Sequence, residues 1–207
     1  MTWDKVQATQ KRSIIVNGYA YPFISQDVLQ KWLPDLTFVS TFSYGITPEG
    51  KLIPLQDESI IAPALENGVQ PLMVLTSLNE EGTFSSELVN ELLQNPEAEA
   101  VLIENILNNI KAKNMYGIDF DFEYVFPENR DQYVELVGKT ARRLNPEGYI
   151  VSVALAPKTY TEQKGLLYEG HNYLGMGQVA NLALLMTYEW GYAYGPLMVM
   201  IKHHKYR

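Results

Sequence analysis

The 207-residue sequence contains no cysteine, which removes disulfides, thiolate nucleophiles and thiolate metal sites together, although it selects no compartment. Basic charge is scarce: 16 Lys and Arg stand against 24 Asp and Glu, a formal net charge of −8. Binding to a nucleic-acid backbone needs a concentrated basic surface, so that partner is not expected and an uncharged or cationic ligand fits better. No stretch approaches the roughly 18 consecutive apolar residues of a membrane span, and the start, Met1-Thr-Trp-Asp-Lys5, has no apolar run of signal-peptide type. No membrane partner is expected and no secretion signal is readable. What is present is an apolar fraction of 46% with 19% charged residues, enough for one sizeable core in an ordinary globular chain.

Apolar and β-branched runs bounded by turn residues predict strands at Ile14–Tyr21, Leu36–Tyr44, Val69–Thr76, Tyr116–Val125, Tyr149–Ala156 and Asn181–Tyr188. Between them, helices are expected from Gln26 to Leu33 behind the cap Ser25, from Asp57 to Glu66, and from Ser85 to Asn114 with an interruption at Pro96. Two more are expected from Asn129 to Leu144 and, briefly, over Tyr173–Val179; Gly45–Leu55 and Ser77–Thr83 read as loops. Strand starts lie too far apart for hairpins and suit right-handed crossovers, so the sheet is parallel. An open doubly wound sheet would favour a Gly-rich phosphate loop after the first strand. The chain has Pro22-Phe-Ile-Ser25 there, and the α/β (β/α)8 TIM-barrel type leads. After Tyr188 only the segment to Arg207 remains, where two further units would need roughly 60 residues. The expected organisation is an N-terminal extension over 1–13, a partial barrel truncated after about six strand-helix units over 14–196, and an irregular basic tail over 197–207, with a sheet edge that needs covering.

The fourth strand is unusual. In Tyr116-Gly-Ile-Asp-Phe-Asp-Phe-Glu-Tyr-Val125, apolar Ile118, Phe120, Phe122 and Tyr124 alternate with Asp119, Asp121 and Glu123, so three acids share one face while the other face belongs in a core. Enclosed carboxylates without partners cost several kcal/mol each, and such a row raises their pKa values by desolvation and like-charge coupling, as a general acid requires. Glu123 would lie highest at the barrel mouth, with Asp121 and Asp119 progressively deeper. Paired acids of this kind serve glycoside hydrolysis, and Tyr188-Glu-Trp190-Gly-Tyr192-Ala-Tyr194 after the sixth strand supplies aromatic faces for sugars.

Gly117-Ile-Asp-Phe-Asp-Phe-Glu123 resembles the Asp-Gly-x-Asp-x-Asp-x-Glu signature of glycoside hydrolase family 18, and Met186-Thr-Tyr188-Glu189 resembles its Met-x-Tyr-Asp. The two stretches are most similar to the spore-germination branch of that family, the YaaH/SleL-like cortex-lytic N-acetylglucosaminidases. The resemblance implies substrate-assisted retaining cleavage of an N-acetylglucosamine-containing glycan, probed first as spore-cortex or cell-wall peptidoglycan, with no cofactor and no metal. It implies Glu123 as general acid then base, Asp121 as holder of the substrate acetamide, Asp119 as its support and Tyr188 as donor to the acetamide oxygen. Met186, Glu189, Trp190 and Tyr192 would contact substrate, and Tyr19 and Tyr44, at the ends of the first two strands, could line the same mouth. It also points to the spore coat, cortex or cell envelope. Departures from the pattern are Tyr116 for the first Asp, Glu189 for Asp, and Leu75-Thr-Ser-Leu-Asn79 where many members carry Ser-x-Gly-Gly.

Blander alternatives remain for each feature. The acids could form a solvated edge-strand face or a Mg²⁺ or Ca²⁺ site, Tyr19 and Tyr44 could be core residues with satisfied hydroxyls, and His171 could be structural or exposed. The rival function is a non-catalytic glycan-binding module or an inactive truncated barrel.

Overall fold

Residues 14–79 and 82–187 are described by the structure, a computed structural model of the chain. In chain order the elements are β1 (Asn17–Ala20), α1 (Gln26–Trp32), β2 (Phe38–Ile46), β3 (Leu52–Ile53), α2 (Glu58–Glu66), β4 (Gln70–Thr76), α3 (Ser86–Leu93) and α4 (Pro96–Ala112). There follow β5 (Gly117–Asp121), α5 (Arg130–Leu144), β6 (Ile150–Leu155), α6 (Leu166–Glu169), α7 (Tyr173–Val179) and β7 (Leu182–Leu185). Six strands pair in parallel in the order β1-β2-β4-β5-β6-β7, and the two-residue β3 folds back antiparallel on the end of β2. The sheet curls with helices on its outside, as in a (β/α)8 barrel. Residues 1–13 and the tail from Tyr188 lie outside the described residues.

Local chemistry sets the helix starts. Ser25, Ser85 and Asn95 accept the N–H groups of Val28, Leu88 and of Glu97 with Ala98, satisfying donors that the first turn leaves over. Pro96 is therefore the first residue of α4 and not an interruption of one long helix: its missing N–H is harmless there. The loop expected over Gly45–Leu55 contains β3, whose short pairing a period-two search does not detect.

The two faces of the sheet differ in kind. Outward-pointing Met73, Leu75, Ile118, Phe120, Val151 and Val153 pack with α3, α4 and α5 into the main core, and Ala20 and Val39 pack against α1 and α2 in a smaller one. Inward, register aligns Tyr19 with Ser40 and Leu72, Val74 with Asp119 and Ser152, and Thr76 with Asp121. Ser40, Thr76, Asp119, Asp121 and Ser152 are all buried, so the interior face is polar yet screened from water.

Tyr44 does not line that face. It is 1% exposed on the helix side of β2, its hydroxyl donates to Asp57 Oδ2 at 2.8 Å, and Lys113 Nζ donates to Asp57 Oδ1 and to the Leu55 carbonyl. A one-residue register shift between Thr41 and Tyr44 turns the side chain outward, which strict alternation along the strand could not anticipate. Burial pushes its hydroxyl up to about 12. Asp57→Ala strands the buried Tyr44 hydroxyl and leaves Lys113 only the Leu55 carbonyl and the exposed Glu58, and should lower unfolding stability by about 3 kcal/mol in denaturant titration.

Candidate active site

β5 carries Asp119 and Asp121 to the interior because its outward residues Ile118 and Phe120 are fully buried beneath the helices. Asp119 has no exposed surface and Asp121 is 5% exposed. Tyr19 from β1 donates its hydroxyl to Asp119 Oδ2, and Ser152 of β6 stands beside Asp119 in the register of the sheet. Among the described residues, Asp119 Oδ1 and Asp121 Oδ1 have no hydrogen-bond partner. Burial raises the Asp119 carboxyl pKa against the pull of Tyr19 and Ser152. Burial, then the charges of Glu123 and Asp119, pushes Asp121 up to about 7. The two enclosed acids thus titrate as a coupled pair that holds a proton near neutrality.

Regular pairing stops at Asp121, so Glu123 lies on irregular chain two residues beyond the strand. The alternation read into Tyr124 also fails: with φ of 55° it turns out of the strand, is 40% exposed and packs near Phe84. Three consecutive carbonyls hold this turn. Phe122 O accepts from His171, Glu123 O from Ser77 Oγ at 3.3 Å, and Tyr124 O from Ser86 Oγ. Gly170 makes room for it, since a Cβ there would stand 2.3 Å from the Val125 carbonyl. Glu123 itself is half-buried, and the turn around it is held from two connections, that from β4 into α3, which supplies Ser77 and Ser86, and that after β6, which supplies His171.

His171 is the clamp that sequence reasoning undervalued. It is 1% exposed, and its Nδ1 accepts the Ala156 N–H at 2.9 Å. Nε2 therefore carries the hydrogen and donates to Phe122 O at 3.0 Å. Burial lowers its pKa to about 4, so a neutral imidazole ties the end of β6 to the residue before Glu123. Nothing in its local sequence marks this, because both partners are backbone atoms of distant strands.

Of the other candidates, Met186 follows β7, donates its N–H to Leu155 O at 3.0 Å and shares by alternation the face of Leu182 and Leu184. Tyr188, Glu189, Trp190 and Tyr192 lie outside the described residues. Tyr116 stands at the N-terminal end of β5, stacked on Phe38, away from the turn that holds Glu123. Beside Tyr19 the structure adds an aromatic group absent from the sequence-based set: Phe42 meets Tyr19 and Tyr21 edge-on, and Tyr21 stacks on Phe23, itself 83% exposed. Among the described residues no group of three acidic or His side chains is placed to hold a metal ion, and no helix is long and apolar enough to cross a membrane.

A curled parallel sheet covered by helices, with two enclosed acids at the C-terminal end of one strand, is a barrel of the (β/α)8 type. The chain belongs to glycosyl hydrolases family 18, whose family model matches residues 70–197. It is 36% identical over 168 residues to the cortical fragment-lytic enzyme of Bacillus anthracis, covering 81% of this chain and 39% of that protein. The crystal structure of the Bacillus cereus spore cortex-lytic enzyme SleL superposes with a TM-score of 0.85 at 33% identity, covering 92% of this chain and 45% of that one. A chitinase from Chromobacterium violaceum shares the fold at 17% identity, with a TM-score of 0.79 over 87% of this chain and 57% of its own. The chain spans about two fifths of the length of the curated relatives it matches.

The two buried titrations have opposite signs. The folded-state pKa of Asp121 is raised, so its contribution to stability is complete below about pH 4 and declines as pH rises through about 7. That of His171 is lowered, so its contribution is complete above about pH 6.5 and declines as pH falls through about 4, by roughly 3 kcal/mol. Relative to wild type, Asp121→Asn should lose stability on acidification from pH 6.5 to 4, and His171→Gln should gain it. Urea midpoints across that range, parallel in all three proteins, would contradict both assignments.

Proposed function

We propose that the chain is a hydrolase that cleaves N-acetylglucosamine-containing glycan, with peptidoglycan of the spore cortex or cell wall as substrate, by substrate-assisted retaining catalysis. The observation that carries this is the enclosed pair Asp119 and Asp121 leading to a half-buried Glu123 on a turn clamped by three hydrogen bonds to its carbonyls. The peptidoglycan substrate follows the names of the cortex-lytic relatives.

In this mechanism the substrate's 2-acetamido carbonyl attacks the anomeric carbon while Glu123 protonates the departing glycosidic oxygen. Glu123 then takes a proton from the incoming water, and the acetamido oxygen leaves the sugar carbon as water adds. Asp121 receives the acetamido N–H, and its unpartnered Oδ1 on the interior face is the acceptor suited to it. The nearby carboxylate favours positive charge developing on the acetamido group as it becomes a nucleophile. Asp119, anchored by Tyr19, adjusts the charge of Asp121 from one layer below. Tyr188 would donate to the acetamido oxygen and Met186 would line the pocket floor. Tyr21, Phe23 and Phe42 offer ring faces beside Tyr19 on which a sugar can stack.

Glu123→Gln keeps the shape and loses the proton. It should reduce the release of reducing ends from peptidoglycan at least about 100-fold, with product masses ending in a reducing N-acetylglucosamine in the wild type. Equal rates for the two proteins would overturn hydrolysis by Glu123 and leave a non-catalytic glycan-binding module.

A further inference from the structure

One place in the molecule runs against its acidic balance. Arg130, the first residue of α5, and Lys158, just after β6, both line a cavity of about 520 Å³ and an adjoining recess of about 200 Å³. Neither forms a salt bridge among the described residues. The Arg130 Nε is buried without a partner. Lys158 Nζ donates to the His171 carbonyl and sits 5.4 Å from the centre of the Tyr173 ring. Burial and the Arg130 charge hold the Lys158 ammonium pKa below its ordinary value. Glu162 lines both spaces and pairs with neither cation, and Glu169 in the recess is taken up by Lys164 and the Gly165 N–H.

Two like charges held beside one cavity, in a chain with eight more acids than bases, favour an anion between them, beyond what Glu162 and Glu169 supply to Lys158 through space. A guanidinium fork with an adjacent ammonium suits a carboxylate. The hydroxyl of Thr161 and the amide of Asn172 line the same cavity and add neutral polar contacts. Its position connects it to the candidate catalytic turn, since Lys158 bonds to the His171 carbonyl and the His171 ring bonds to Phe122 O. The cavity and the turn that carries Glu123 thus share one support, His171. Chitin is neutral, whereas the peptide substituents of peptidoglycan end in carboxylates. We propose that the cavity between Arg130 and Lys158 is a subsite for a carboxylate on the peptide substituent of a peptidoglycan strand, an assignment that rests on the glycan-hydrolase function above.

The test is equilibrium titration of the full chain with a tetrasaccharide of alternating N-acetylglucosamine and peptide-bearing N-acetylmuramic acid. The same compound with its peptide carboxylates amidated serves as the comparison. The free acid should bind about tenfold tighter than the amide, and Arg130→Gln should abolish that preference. Because Arg130 makes no side-chain hydrogen bond, this variant should melt within about 2 °C of wild type, and Lys158→Met provides a second variant with the same expected loss of preference. Equal affinity for acid and amide, absence of binding by either, or a preference that survives both substitutions overturns the subsite. Reducing-end release from a peptide-free N-acetylglucosamine oligomer is measured alongside. Its presence with no acid preference sinks the subsite and keeps the hydrolase, and its absence with the preference intact sinks the hydrolase and keeps the subsite.

Discussion

The structure depends on keeping water away from one polar face. A parallel sheet covered by helices buries its outward residues as a matter of course, and here the inward side of β5 is closed as well, over Asp119 and Asp121. In that setting a carboxylate loses most of its hydration and gains only what neighbouring donors return. Asp119 receives the hydroxyl of Tyr19, while among the described residues Asp121 Oδ1 receives nothing. The difference in supply distinguishes an anchored acid from one left to meet a ligand.

Holding Glu123 is a separate problem, because the chain has left the sheet by the time it reaches that residue. Backbone carbonyls outside a ladder must find donors elsewhere, and those of Phe122, Glu123 and Tyr124 find them on His171, Ser77 and Ser86. These donors belong to the segments after β6, after β4 and at the start of α3. The turn is therefore positioned by the relative placement of two connections, β4 to α3 and the segment after β6. The neutral state of His171 is part of this, since protonating Nδ1 would break its bond from Ala156. Lys158, one of the two cations lining the neighbouring cavity, lies one hydrogen bond behind the same histidine.

The strand order, the parallel pairing and the inward acids were legible because both signals are periodic. Alternation of Ile118 and Phe120 with Asp119 and Asp121 survives any detail of tertiary packing. Less legible were features set by breaks in the period. The register shift in β2 sent Tyr44 to the helix side, the end of β5 at Asp121 released Tyr124 from the core face, and the cap at Asn95 made Pro96 a beginning. His171 and Ser77 were not readable as clamps because each acts on a backbone atom far away in sequence. Tyr188 and the aromatic stretch behind it fall outside the described residues, so their part in the site rests on motif alone.

The central claim is that the fold, by enclosing Asp121 between Asp119 and Glu123, gives it a carboxyl that is half-protonated near neutrality. Carbon-13 NMR titration of the aspartate carboxyls, assigned by comparison with Asp121→Asn, reads this directly. The account predicts a midpoint near 7 for Asp121, moving down when Glu123 is replaced by Gln. A midpoint at about 4, unmoved by that replacement, would contradict it.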